Sequence, residues 1–369
     1  MPERLLVVNY RLFTPGPVEV SEEVLEEHGK RFPYHRDRSF AEVVGRVTED
    51  LKKILFTDAR IFFFTSSGTG GMQAALVNLF SEGDEVLVTS IGKFGQRWKE
   101  LADTFRLKVT YLPFEFGQSV DPAMVDDALR DNPLIKAVLS TFTETSTGAK
   151  NDVKAMGEIV GRHDKIFVLD SIAGLIADEL RMDAWNVDVA IGGSQKAIGA
   201  PPGLSIVALN ERAWKLAENS TLPKYYFNMQ IAEKFRQKGF TPWTPAITVM
   251  MSLAVSIKNF KERGIENVWA DHAHWASFFR EKAGQMGFKF LPRNPSNALS
   301  AIKMPDGVES TPIIREIKEE EGILFANGQA ELKGHLIRIG HMGHANEQDT
   351  LKTLEVLEKH ALPRIKETG

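Results

Sequence analysis

Lys196 lies in Gly192-Gly-Ser-Gln-Lys-Ala-Ile-Gly-Ala-Pro-Pro-Gly203, among small and apolar residues, with no acid in the ten positions after it. An amine in apolar surroundings loses proton affinity and becomes a usable nucleophile. Most lysines are solvated surface charges, so the residue says little alone. Asp170 closes the apolar run Ile166-Phe-Val-Leu169. It can pair with a cation in a site, or cap the segment 171–177. Thr65-Ser-Ser-Gly-Thr-Gly-Gly-Met72 follows another apolar run. Backbone N–H groups at such a helix start, with the Ser67 and Thr69 hydroxyls, can cradle a phosphate. A tight strand-to-helix turn would look the same. The run is not a dinucleotide fingerprint, because Gln73 stands at the third glycine position. Nor is it a Walker loop, because no Gly-Lys-Ser/Thr follows. In combination the three stretches are specific. A phosphate anchor, a partner for a pyridinium nitrogen and an imine-forming lysine are what a pyridoxal 5'-phosphate (PLP) site requires.

To act together, these residues must be brought to one end of a sheet. Short apolar runs at 60–64, 85–89, 108–112, 137–141, 166–169, 187–191 and 204–208 alternate with stretches of helical apolar spacing at 70–80, 94–105, 122–129 and 153–162. Such alternation predicts a largely parallel sheet covered on both faces, the α/β class. Ligands of these sheets bind beyond the carboxyl ends of the strands, where all three stretches fall. Asp121-Pro122 and Asn151-Asp152 stand where an N-cap and first turn belong. After about residue 240 the pattern changes. Long helical patterns at 246–263 and 265–286 precede short strands at 298–303 and 336–339, with helices at 311–320 and 347–359. The expected organisation is an N-terminal segment 1–15 able to pack with either part, a large α/β domain over 16–250 and a smaller α+β domain over 251–369.

The 369 residues are 43% apolar and 25% charged, and a net charge of −4 invites neither a nucleic-acid backbone nor an anionic membrane. The sequence has no cysteine, which excludes disulfides, thiolate metal sites and cysteine nucleophiles. No metal ligand set emerges: His272 and His274 are two apart in a helical pattern and cannot converge on one ion. The opening residues hold only four consecutive apolar side chains, too few for a secretory core. The most apolar stretch, 246–257, is broken by Thr248, Ser252 and Ser256 and falls short of the ~20 residues a bilayer needs. A cytoplasmic protein without membrane or nucleic-acid partners is expected. Lys318-Glu-Glu-Glu321 reads as a solvated helix end.

Thr14-Pro-Gly-Pro17, Tyr34-His-Arg36, Ser66-Ser-Gly-Thr69, Phe94-Gly-Gln-Arg97, Glu144-Thr-Ser-Thr-Gly148, Asp170-Ser171, Gly193-Ser-Gln-Lys-Ala197, Ala200-Pro-Pro-Gly203 and Arg338-Ile-Gly340 form a series that spans nearly the whole chain. In these motifs the sequence resembles the class V, fold-type I, PLP-dependent aminotransferases, in the branch of alanine–glyoxylate and serine–pyruvate aminotransferases. The resemblance implies a seven-stranded, mostly parallel sheet in the large domain, a smaller C-terminal α+β domain and a homodimer. It implies that Lys196 binds the cofactor and shuttles the substrate proton, and that Asp170 pairs with the pyridine nitrogen. Ser67, Gly68 and Thr69 would bind the phosphate with Gln195 beside it. Thr145 would approach the ring's 3-oxygen, and Phe94 would stack on the ring, where animal relatives usually have Trp. Arg338 would clamp the substrate α-carboxylate, with Gly16 close to the bound amino acid. Thr241 and Thr244 of Phe240-Thr-Pro-Trp-Thr-Pro245 would reach the phosphate of the neighbouring subunit, although Phe240 replaces the usual Tyr. His35 and Arg36 stand near the substrate mouth in the family. His341 and His344 either line the entrance or belong to an ordinary loop.

The implied activity is ping-pong transfer of an amino group from alanine, serine or aspartate to a 2-oxo acid such as glyoxylate or pyruvate. A lyase of the same fold and a non-catalytic PLP-fold subunit of a complex are the alternatives. The cysteine desulfurase branch needs a cysteine to receive sulfur, and none is present. A nicotinamide oxidoreductase is undermined by the failed glycine fingerprint.

Overall fold

The computed structural model describes residues 8–343 and 346–367, so His344 and the first seven residues of the N-terminal segment lie outside the described residues. Seven strands build the main sheet. Their spatial order is Arg60–Thr65, Leu204–Leu209, Val189–Gly193, Ile166–Asp170, Ile135–Thr141, Glu85–Ser90 and Lys108–Pro113. Each falls within two residues at either end of a run expected from sequence. Leu204–Leu209 runs antiparallel to both neighbours, and the other strands are parallel to one another. Every residue of Ile166–Asp170 and Leu204–Leu209 is buried. That is why these strands read as unbroken apolar runs rather than alternating ones.

Helices cover both faces. On one side Arg38–Leu55, Pro122–Asp131, Val153–Arg162 and Ile247–Arg263 enclose a core that includes Phe40, Leu51, Val125, Met156 and Leu253. On the other, Gly68–Leu79, Lys93–Thr104, Glu211–Asn219 and Met229–Arg236 enclose Met72, Leu76, Trp98 and Trp214. The 18-residue helix Arg38–Leu55 was not anticipated, although Phe40, Val43, Val44, Val47, Leu51 and Ile54 mark one buried stripe. Asp37 caps it by accepting from the Ser39 N–H at 2.8 Å. Asp121 caps its helix as expected, whereas the cap of Val153–Arg162 is Asp152 rather than Asn151, one residue later than the sequence pattern placed it.

The C-terminal part is a four-stranded antiparallel sheet of Lys289–Phe290, Leu299–Lys303, Leu336–Gly340 and Ala326–Asn327, packed against Ser310–Glu321 and Glu347–His360. The N-terminal segment touches both parts. Arg11–Leu12 pairs with Ile323–Leu324, and the Pro15 carbonyl accepts from the Lys196 Nζ of the large part at 2.6 Å. Glu321 departs from the expected solvated end. It accepts from Lys359 at 2.7 Å, His360 at 3.1 Å and Lys352 at 3.3 Å, and these bonds, Lys359 foremost, pull its carboxyl down to about 2. It staples two helices that have no sequence proximity. No helix among the described residues is long and apolar enough to cross a membrane.

Candidate active site

The site forms at the carboxyl ends of the strands. Thr65 ends the strand that feeds Ser67, the N-cap residue of helix Gly68–Leu79, and Ser67 makes no side-chain cap bond. Lys196 lies on the loop joining Val189–Gly193 to the antiparallel strand Leu204–Leu209. Because Leu204 pairs with Thr65 while Ser205 pairs with Gly193, that reversal carries the lysine loop back beside the cradle. The loop is closed on itself by Ser194 N to the Leu204 carbonyl, Ala200 N to the Ser194 carbonyl and Gly199 N to the Lys196 carbonyl, at 2.8–3.0 Å. Asp170 ends the adjacent strand. One pocket is lined by Ser67, Gly68, Thr69, Phe94, Thr145, Asp170, Gln195 and Lys196, together with Arg97, Thr143, Ile172 and Ala173.

The Lys196 Nζ donates to the Pro15 carbonyl at 2.6 Å. A Cβ on Gly16 would lie 2.4 Å from the Lys196 Cδ, and Gly16 has a φ of +113°, so only glycine fits there. Burial, joined by the positive charges of Arg338 and Arg97 and opposed by Asp170, lowers the Lys196 ammonium to about 8. Asp170 is buried, and burial with the negative charge of Glu144 raises its carboxyl to about 7 against the pull of the Ile172 N–H. That N–H donates to Asp170 Oδ1 at 3.0 Å. Asp170 therefore caps a turn as well as facing the pocket, and residues 171–177 form turns rather than a helix. Arg338 is buried on Leu336–Gly340. Its Nη1 donates to the Thr145 carbonyl at 2.6 Å and its Nε to the Asn327 carbonyl at 2.7 Å.

PLP fits these residues. The Gln195 side chain buries an oxygen with no partner, and an amide can turn either its oxygen or its NH2 inward. The cradle has a cap hydroxyl uncommitted to its own helix. The pocket also pairs a lysine of depressed proton affinity with a buried carboxylate, which suits an aldehyde at one end and a pyridinium at the other.

Two further charged residues, Glu144 and Arg97, gain a role only from the folded structure. Glu144 is fully buried and accepts from the N–H groups of Phe94 at 2.9 Å and Gly95 at 3.1 Å, and from the Ser146 hydroxyl at 2.6 Å. It ties the Phe94 wall to the Thr145 wall. Arg97 donates to Thr69 Oγ1 at 3.0 Å. Thr241 and Thr244 lie outside the pocket of their own chain, on a loop beside Arg60–Thr65 where Ala246 N donates to Thr65 Oγ1 at 2.9 Å. Arg36 is committed to this loop through the Thr241 and Pro242 carbonyls at 2.5 and 3.0 Å. His35 packs edge-on against Tyr34. His341 is buried against Ser300 Oγ at 2.8 Å, and burial drops its imidazole to about 3. His272 is buried and bonded to the Val268 carbonyl.

Sheet order and site together define a fold-type I PLP-dependent enzyme. The family model described as Aminotransferase class-V matches residues 19–354, and the chain belongs to that family. It is 31% identical over 356 residues to an L-aspartate–glyoxylate aminotransferase of Paracoccus denitrificans, covering 94% of this chain and 90% of the relative. It is 34% identical over 352 residues to a protein of Anabaena cylindrica named soluble hydrogenase 42 kDa subunit, covering 94% and 92%. The solved structure of a subgroup IV aspartate aminotransferase from Thermus thermophilus superposes with a TM-score of 0.89 at 29% identity, covering 96% and 99%.

Proposed function

We propose that this aminotransferase moves the amino group of alanine, serine or aspartate to a 2-oxo acid such as glyoxylate or pyruvate, as a cytoplasmic homodimer. One observation carries the reading: a lysine amine of lowered proton affinity shares one pocket with a buried aspartate, within electrostatic reach of a buried arginine. The substrate class is supported by the name of the Paracoccus relative.

PLP, when bound, supplies an electron sink for the charge left when a proton leaves the carbon bearing the amino group. The chain's residues do the rest. Ser67, Gly68 and Thr69, with Gln195, bind the phosphate, and Thr241 and Thr244 of the partner subunit complete that contact. Phe94 would stack on the ring and Thr145 would approach its 3-oxygen. The Asp170 carboxylate holds the proton on the ring nitrogen, since a cation there restores its ionised form. Lys196 would hold the aldehyde end of the cofactor, and its Nζ, once freed, would take up the substrate proton and give it back. Arg338 grips the α-carboxylate as a planar fork, beside the space Gly16 leaves open. Donor and acceptor use the same site in turn.

Borohydride reduction followed by peptide mapping should place a pyridoxyl group on Lys196; a label elsewhere overturns the assignment. Single amino acids are then added to the purified protein while the absorbance of the bound cofactor is followed. Substrates bleach it, and glyoxylate or pyruvate restores it. The hydrogenase-subunit name of the Anabaena relative favours a second reading, a subunit without turnover. No amino acid would then change the spectrum. A lyase would release product with no acceptor present.

A further inference from the structure

The phosphate of PLP carries close to two negative charges near neutral pH, about −1.5 to −2 for a monoester. Among the described residues lining the pocket, the cations are Lys196 and Arg97. Lys196 is taken up by covalent chemistry in the function proposed above, which leaves Arg97. It sits one turn beyond Phe94 on helix Lys93–Thr104, with its guanidinium carbon 4.6 Å from the Phe94 ring centre. Its Nη1 donates to Thr69 Oγ1 at 3.0 Å. A guanidinium can only donate, so Thr69 is the acceptor in this contact, and its own hydroxyl proton must turn to another acceptor. Thr69 is the second residue of helix Gly68–Leu79, beside the N-cap Ser67.

We propose that Arg97 is the phosphate-positioning residue of this pocket, acting through Thr69: its donated bond turns the Thr69 O–H toward the phosphate and sets a fixed positive charge behind it. Stacking on Phe94 holds the planar fork in place, which an ammonium on a flexible stem would not match. The charge reaches across the pocket, since it contributes to the lowered proton affinity of Lys196. The inference rests on the PLP reading of the site.

The test compares PLP with pyridoxal, which has the aldehyde and the ring but no phosphate. Both are titrated into cofactor-free wild type, Arg97→Met, Arg97→Lys, Thr69→Val and the Arg97→Met/Thr69→Val double variant. Arg97→Met should weaken PLP about ten- to hundredfold, the scale of a lost charge-assisted hydrogen bond, and leave pyridoxal within about twofold. Arg97→Lys should recover part of the loss. The double variant should bind PLP no worse than Arg97→Met by more than about twofold, because both changes remove one path. Equal losses for PLP and pyridoxal would make Arg97 a wall residue and overturn the proposal, as would additive losses in the double variant. If Arg97→Met does not fold, the same comparison stands on Arg97→Lys and Thr69→Val. A wild type that takes up neither compound would refute the PLP reading itself.

Discussion

Lys196 and Asp170 have moved toward each other in proton affinity, to about 8 and about 7, because burial penalises the charged form of each. The amine therefore has a titration within reach of experiment. Below about pH 8 the Lys196 Nζ holds a proton and has no lone pair to attack with. Uptake of PLP by cofactor-free protein should rise about tenfold per pH unit below 8 and level off above it. Stopped-flow absorbance checks this; a flat profile from pH 6 to 9 would mean the amine is already neutral. Arg338→Ala should keep the colour of the bound cofactor yet lose about 2–5 kcal/mol of kcat/KM, roughly 30- to several-thousand-fold, with Arg338→Lys a partial rescue. Unchanged kcat/KM would return Arg338 to a structural role. Lys196 and Asp170 were legible because apolar neighbours around a charge are unusual in any sequence. Arg97 and Glu144 were not, since a charged residue on a helix or hairpin is ordinarily solvated. Only the approach of Thr69 to Arg97, and of the Phe94 N–H to Glu144, gives them work.

At the scale of elements, strands buried on both faces announced themselves, whereas Arg38–Leu55 was hidden by its charged flank, Asp37-Arg38 and Glu49-Asp50. Packing between elements was beyond sequence reasoning. Helix Val153–Arg162 crosses the segment after Arg181 so closely that a Cβ on Gly157 would lie 1.8 Å from the Trp185 carbonyl oxygen. Gly157→Ala should cost about 1–3 kcal/mol, read as a lower Tm, because backbone must move to admit the methyl. His341 joins Leu336–Gly340 to Leu299–Lys303 through Ser300, with its imidazole lowered from 6.5 to about 3. Its folded-state value is depressed, so the unfolded chain binds the extra proton between those limits. Stability present above pH 6.5 is then lost as pH falls, by about 1.4 kcal/mol per unit well below 6.5. Urea melts at pH 7 and pH 5 should show a smaller pH difference for His341→Gln than for wild type; equal differences would mean that folding leaves the proton affinity of the ring unchanged.

For the whole molecule, light scattering should give twice the chain mass of 41.2 kDa. A shared site adds a sharper expectation. Lys196→Ala and a Thr241→Val/Thr244→Val variant, each impaired alone, should regain activity when co-expressed, since a mixed dimer contains one site with every part intact. Full activity at single-chain mass would refute the sharing. The antiparallel strand that aims the lysine loop also has a consequence for how the chain is made. Arg60–Thr65 has Leu204–Leu209 as its neighbour in the main sheet, so the segment bearing Ile61, Phe62, Phe63 and Phe64 waits unpaired on the ribosome until residue 209 has emerged. Throughout that interval a bare, strongly apolar edge is open to other nascent chains. Expression of fragments ending before residue 204 should give aggregates, and supply of PLP during synthesis should not rescue them, because cradle and lysine meet only when that strand slides home.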